Sequence, residues 1–259
     1  MTPRVEHLGR SGERVVLVHG SLIAGMAAWQ EQRDLARQRR LVIVERHGYG
    51  EHASTGRVDL ERDERDLIEV LEDGAHLVGT SMGGVVALRV AGRRPELIRS
   101  LTVIEPPLLA DHGGDAIVDR AIEQVREAYR RGRDEPDSAF LRRFLAAIEF
   151  DMPLPDPLPA PLVQATTLLR SEQPWAVRAP LLEVASASYA KLVISGGSSP
   201  VFERVCDALA RDVGAERMLF SGSPHAVQRI GGPFNDYLEG FLSRVEAQTA
   251  EKMSSDAKA

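Results

Sequence analysis

Short runs rich in β-branched and aliphatic residues recur along the chain, each stopping at a turn residue: Arg14–Val18, Leu41–Glu45, Ala75–Val78, Ser100–Ile104, Lys191–Ile194 and Glu216–Phe220. Each has the length of a strand. Between most of them lie helical patterns, such as Val58–Leu71, with apolar members at Leu60, Leu67, Ile68 and Leu71, and Gly83–Ala91. This alternation predicts an α/β fold, with parallel strand pairing and helices on both faces of the sheet.

The alternation breaks once, between about residues 111 and 175, where helical patterns follow one another without a strand. In Asp115–Arg131 the residues Ile117, Val118, Ala121, Ile122, Val125 and Tyr129 share one face. In Asp137–Phe150 the shared face is Phe140, Leu141, Phe144, Leu145 and Ile148. Prolines at 153, 155, 157, 159 and 161 then alternate with other residues and predict a stiff, extended connector. The expected organisation is therefore a core of residues 1–110 and 176–247, a helical lid at 111–175, and a flexible polar tail at 248–259.

At 259 residues the chain is long enough for a large core, and its 43% hydrophobic and 27% charged content is that of a globular protein. The net charge of −6, with both signs interspersed, argues against nucleic acid as a partner. No apolar run approaches the roughly 18 residues that would cross a bilayer. Met1–Gly12 lacks the apolar stretch of a signal peptide, so a cytoplasmic location is expected, with no membrane association. The single cysteine, Cys206, agrees with a reducing compartment and reads as packing on the inner face of a helix.

The most informative stretch is Ala75–Leu88, AHLVGTSMGGVVAL, in which a strand runs through Gly79-Thr80-Ser81-Met82-Gly83 into a helix. This is the G-x-S-x-G pattern between a strand and a helix. Small residues beside the serine permit a tight turn. The hydroxyl is left at a helix N-terminus, where free N–H groups favour a developing anion. A glycine-rich turn without function is the bland alternative.

With this segment the chain resembles the α/β-hydrolase superfamily over most of its length. Val15–Trp29, VVLVHGSLIAGMAAW, is similar to the family's strand ending in His-Gly, after which a backbone N–H faces the oxyanion. The resemblance implies that Ser21 and Met82 supply the two oxyanion N–H donors, and that His19 orders the loop. It also implies a base in the loop after the last strand. His225 stands there, in Ser221-Gly222-Ser223-Pro224-His225, ahead of a helix expected over Phe234–Arg244. The N-terminal hairpin usual in the family has little room, since 13 residues precede Arg14. One short strand at Pro3–Leu8 fits, giving about seven strands.

The acid departs from the commoner family pattern. The loop after Lys191–Ile194 reads Ser195-Gly196-Gly197-Ser198-Ser199-Pro200 and holds no carboxylate. Glu105 ends the strand Ser100–Ile104, 24 residues after Ser81, and some superfamily members carry their acid at the end of this strand. Glu203 and Asp207, on the following helix, and the absence of any acid remain alternatives.

A serine at the nucleophile position points to acyl transfer. The expected reaction is cleavage of a lipophilic carboxylic ester or lactone by Ser81, His225 and Glu105, with no cofactor and no metal. Leu22, Phe140, Phe144 and Met152 are candidate pocket residues; lid core is the alternative reading of the same amphipathic stripe. An acyltransferase or thioesterase would share every catalytic residue. A non-catalytic binding protein on the same scaffold is a third reading. Gly48–Ala53 matches G-x-G-x-x-A on paper, but no helix opens within it, so it reads as a turn near the site.

Overall fold

In a computed structural model, which describes residues 3–50 and 56–256, seven strands form one sheet. They are β1 (Arg4–Leu8), β2 (Arg14–Val18), β3 (Arg40–Glu45), β4 (Ala75–Thr80), β5 (Ile98–Ile104), β6 (Ala190–Gly197) and β7 (Glu216–Ser223). Their spatial order is β1-β3-β2-β4-β5-β6-β7. Only β1 is antiparallel to its neighbour. The helices are α1 (Gly25–Ala28), α2 (Leu60–Leu71), α3 (Met82–Arg93), α4 (Ala116–Gly132), α5 (Asp137–Ala147), α6 (Ala160–Leu169), α7 (Leu181–Ser186), α8 (Pro200–Val213) and α9 (Gly232–Asp256). The Glu51-His52-Ala53 part of Gly48–Ala53 lies outside the described residues.

The central strands β2 and β4 are buried at every position. Alternate residues therefore feed two cores. Val16, Val18, Leu77 and Val103 face α2, α3 and α8, whereas Val15, Leu17, Val78 and Ile194 face α9 and the 3-10 segment at Gln30–Arg37. This two-sided burial is what a parallel sheet demands, and it explains why these strands are largely apolar on both faces, with His76 a buried polar exception in β4. A third, smaller core lies within the helices inserted between β5 and β6, built from Val125, Phe140, Leu141, Leu145 and Leu169.

Register places the functional end of the sheet. Thr80 on β4 pairs with Ile104 on β5, and Ile104 pairs with Ile194 on β6. Ser81 and Glu105 therefore leave the adjacent strands β4 and β5 at the same level, beside Ser195 in β6.

Several boundaries differ from the sequence reading, and three of them change what a segment is. β6 runs on to Gly197, because Gly197 pairs with Ser223 beyond an irregularity in the ladder, so Ser195-Gly196-Gly197 is strand rather than loop. The proline connector ends at Pro159, since Pro161 occupies the first turn of α6, where no intrahelical N–H partner is lost. The tail expected to be flexible from 248 is helical through Asp256, continuing α9; residues 257–259 lie outside the described residues. A polar composition suits an exposed helix end as well as a free tail. No helix among the described residues is long and apolar enough to cross a membrane.

Candidate active site

Ser81 sits in the turn from β4 to α3 with φ 51° and ψ −125°, a conformation that non-glycine residues rarely adopt. The flanking glycines make the turn possible. A Cβ on Gly79 would lie 2.5 Å from the Gly83 carbonyl oxygen, and one on Gly83 would collide with the His19 and Val18 carbonyls. The Ser81 N–H donates to the Ile104 carbonyl at 2.7 Å, which ties the strained turn to β5. Glu105 is likewise at positive φ, 43°. Of the four non-glycine residues with positive φ among those described, two are thus Ser81 and Glu105, and such strain persists only where the surroundings impose it.

His225 stands between them. Its Nε2 is 3.0 Å from Ser81 Oγ, and its Nδ1 is 2.5 Å from Glu105 Oε2. The other carboxylate oxygen of Glu105 accepts the Gly196 N–H at 2.7 Å, so a fully buried carboxylate has both oxygens engaged. The Phe202 ring stacks on the imidazole at a centroid distance of 4.3 Å, and Phe150 meets it edge-on at 5.4 Å. Glu203 and Asp207, the alternative acids, are bound by Arg217 instead, and Glu203 also accepts the Gly197 N–H. Neither reaches His225. Cys206 is buried against β6, and burial pushes its thiol well above the ordinary value, as suits a packing residue.

The Gly20–Leu22 turn lies against Ser81, close enough that a Cβ on Gly20 would come within 2.9 Å of Ser81 Cβ. The Gly20 carbonyl oxygen accepts from His19 Nδ1 at 2.7 Å and from Arg46 Nη1 at 3.1 Å. The peptide is trans and planar, so fixing this oxygen also fixes the Ser21 N–H on the opposite side. Met82 opens α3, where the N–H has no intrahelical acceptor. His19 is fully buried, accepts the Arg46 N–H at Nε2, and is pushed down to about 3 by burial and by the Arg46 cation.

This neutral histidine has a consequence for stability. The unfolded chain takes up a proton at His19 below its ordinary value of 6.5, whereas the folded chain does so only near 3. Stability is therefore complete above pH 6.5 and falls with decreasing pH across that window, by up to about 1.4 kcal/mol per pH unit for this group. His19→Gln is expected to flatten the slope of urea-unfolding free energy between pH 6 and 5 by up to that amount. Other titrating groups are common to both proteins, and equal slopes would show that His19 does not hold the neutral form.

A cavity of about 970 Å³, including its mouth, opens above Ser81. Its walls are apolar, with Leu22, Leu109, Val125, Phe144, Phe150 and Met152 among them, and few polar groups besides Ser81, His225 and Glu172. Of the four candidate pocket residues, Leu22, Phe144 and Met152 line it. Phe140 does not. It packs inside the helical insertion, edge-on to Tyr129 and beneath the Arg170 guanidinium at 4.2 Å. The amphipathic stripe of α5 marks a buried face without saying which neighbour covers it.

The sequence reading missed a buried polar cluster behind the Gly20–Leu22 turn. Arg46 pairs with Asp63 at 2.9 Å and with Glu172 at 3.3 Å. Ser21 Oγ donates to Glu172 at 2.6 Å, and Tyr49 donates to the Ser21 carbonyl at 2.8 Å. Burial pushes Asp63 and Glu172 above the usual carboxylate value while Arg46 pulls them back. Burial lowers Arg46 itself, but the groups around it more than offset this and keep it charged. An arginine directly after a buried strand was the available signal. Among the described residues no cluster of histidine, cysteine or carboxylate side chains could hold a metal.

Comparison with known proteins gives consistent relatives. Residues 15–229 match the model of the Alpha/beta hydrolase family. A pimeloyl-[acyl-carrier protein] methyl ester esterase of Vibrio atlanticus is 27% identical over 92% of this chain and 95% of its own length. The acetyltransferase component of an acetoin cleaving system from Pseudomonas putida is 36% identical over 37% of this chain, and the match spans only 27% of that relative. The crystal structure of a carboxylesterase from the thaumarchaeon Nitrososphaera gargenis superposes with a TM-score of 0.70 at 16% identity, covering 95% of this chain and 96% of that one, a likeness of fold. With a family match across most of its length and esterases among its homologues, the chain belongs to the alpha/beta hydrolase family.

Proposed function

We propose that the protein is a serine hydrolase that cleaves a lipophilic carboxylic ester or lactone through an acyl-enzyme. The observation that carries this reading is the relay from Ser81 Oγ to His225 Nε2 and from His225 Nδ1 to Glu105, 3.0 and 2.5 Å long, at the floor of an apolar cavity. His225 takes the Ser81 proton as Oγ attacks the carbonyl carbon. The imidazolium that forms is stabilised by Glu105, and the oxyanion accepts from the Ser21 and Met82 N–H groups. On collapse the C–O bond breaks and His225 protonates the leaving alkoxide. Water, deprotonated by His225, then attacks the acyl-enzyme and returns Ser81 with the free acid.

In this reading residues 111–175 act as a lid over the strand ends, with Phe144 and Met152 contributing to the acyl site. The N–H and imidazole groups serve ester chemistry without a cofactor. The Vibrio atlanticus relative, whose name is that of an ester-cleaving enzyme, adds support.

The test is hydrolysis of p-nitrophenyl esters from acetate to octanoate. Each methylene buried in the cavity is worth up to about 0.8 kcal/mol, so kcat/KM is expected to rise by up to about fourfold per CH₂ until the cavity is filled. Absence of hydrolysis across the series, or a steady fall with chain length, would overturn the assignment.

A further inference from the structure

Glu172 belongs to no motif, follows α6 in the helical insertion, and lies 151 residues from the serine that it binds. It is 5% exposed, and a carboxylate buried to this degree persists only with partners that repay its lost hydration. Its partners are specific. One oxygen accepts from Ser21 Oγ at 2.6 Å, and the other faces Arg46 Nη2 at 3.3 Å and the Tyr49 hydroxyl at 3.5 Å. Each of these three residues also holds the Gly20–Leu22 turn: Arg46 through the Gly20 carbonyl, Tyr49 through the Ser21 carbonyl, and Ser21 as part of it. Glu172 also forms part of the wall of the cavity above Ser81.

We propose that Glu172 is a positioning residue for the reaction: it fixes the turn that carries the Ser21 oxyanion donor, so that this donor is aligned only while the helical insertion is seated. The inference rests on the serine-hydrolase reading. Glu172 itself does not react. By holding the Ser21 hydroxyl from one side while Tyr49 and Arg46 hold the two carbonyls, it removes the rotations that would turn the Ser21 N–H away from Ser81. Donors of this kind act by being preorganised, so a small misalignment is felt in the transition state and scarcely in the ground state.

The test uses the full chain as wild type, Glu172→Ala, Ser21→Ala and the double variant, each checked by circular dichroism and melting. Four quantities are read: kcat and KM on a p-nitrophenyl ester, and the affinities of an alkyl trifluoromethyl ketone and of the ether of matched chain length. The ketone forms a tetrahedral adduct on serine, whereas the ether does not. Glu172→Ala is expected to lower kcat by about 10²-fold, the loss typical of one oxyanion donor, with KM within about threefold. Ketone affinity should fall in step while ether affinity holds. The double variant should be no worse than Glu172→Ala within about threefold, because both changes break one link.

A clamp that merely stabilised the insertion would weaken ketone and ether alike, or leave kcat of the folded variants unchanged, and either result overturns the inference. If Glu172→Ala does not fold, Ser21→Ala carries the same comparison, since it keeps the N–H and removes only the hydroxyl. A wild type that neither hydrolyses esters nor prefers the ketone overturns the serine-hydrolase reading and this inference with it. An active wild type with unaltered variants overturns this inference alone.

Discussion

Glu105→Gln is expected to lower kcat by about 10⁴-fold while KM changes little, because it forces the wrong tautomer on the base. Both oxygens of Glu105 accept: one from the Gly196 N–H, the other from His225 Nδ1. Glutamine offers a single acceptor. The Gly196 N–H is a fixed backbone donor in a buried site, so it claims the amide oxygen and turns the NH₂ toward His225. The imidazole then accepts at Nδ1 and carries its proton on Nε2, the atom 3.0 Å from Ser81 Oγ, where it can no longer accept the serine proton. Side-chain volume is conserved and one hydrogen bond simply reverses, so the variant should fold. Steady-state kinetics on an ester turned over by wild type checks this. A loss of only a few-fold would mean that the acid lies elsewhere, with Glu203 and Asp207 the remaining carboxylates near β6.

How much of this site could be read in the sequence depended on how local its causes are. The Ser81 turn was legible because its requirements are met within five residues: two glycines that admit close backbones and a serine between strand and helix. The burial of Glu105 was legible because a carboxylate at the end of a buried strand is costly without a partner, and its partners in the structure are the Gly196 N–H and His225. The structure adds what spacing could not supply, the shared register that lifts Ser81 and Glu105 to one level. Phe140 illustrates the opposite case. Its helical periodicity fixed a buried face, but whether that face met the cavity or Tyr129 depended on how three inserted helices pack. Glu172, Arg46 and Asp63 come from three distant segments, and nothing in any one segment announces the other two. The helical run past residue 248 was hidden because polar residues suit an exposed helix end as well as a free tail.

Ser81 carries the largest expected effect. Alanine retains the Cβ that the turn already accommodates at φ 51°, so Ser81→Ala should melt close to wild type and still bind the ether analogue. Its kcat should nevertheless fall by about 10⁶-fold, leaving only the contribution of binding and the oxyanion donors. Full activity in this variant would exclude Ser81 as the nucleophile. The most direct measurement is intact-protein mass after exposure to a small fluorophosphonate, followed by peptide mapping, because it reads the activated serine without knowledge of the substrate. The relay from Ser81 through His225 to Glu105 predicts one adduct, on the peptide containing Ser81, in wild type and none in Ser81→Ala. A folded wild type that remains unlabelled, or that is labelled elsewhere and equally in Ser81→Ala, would contradict it.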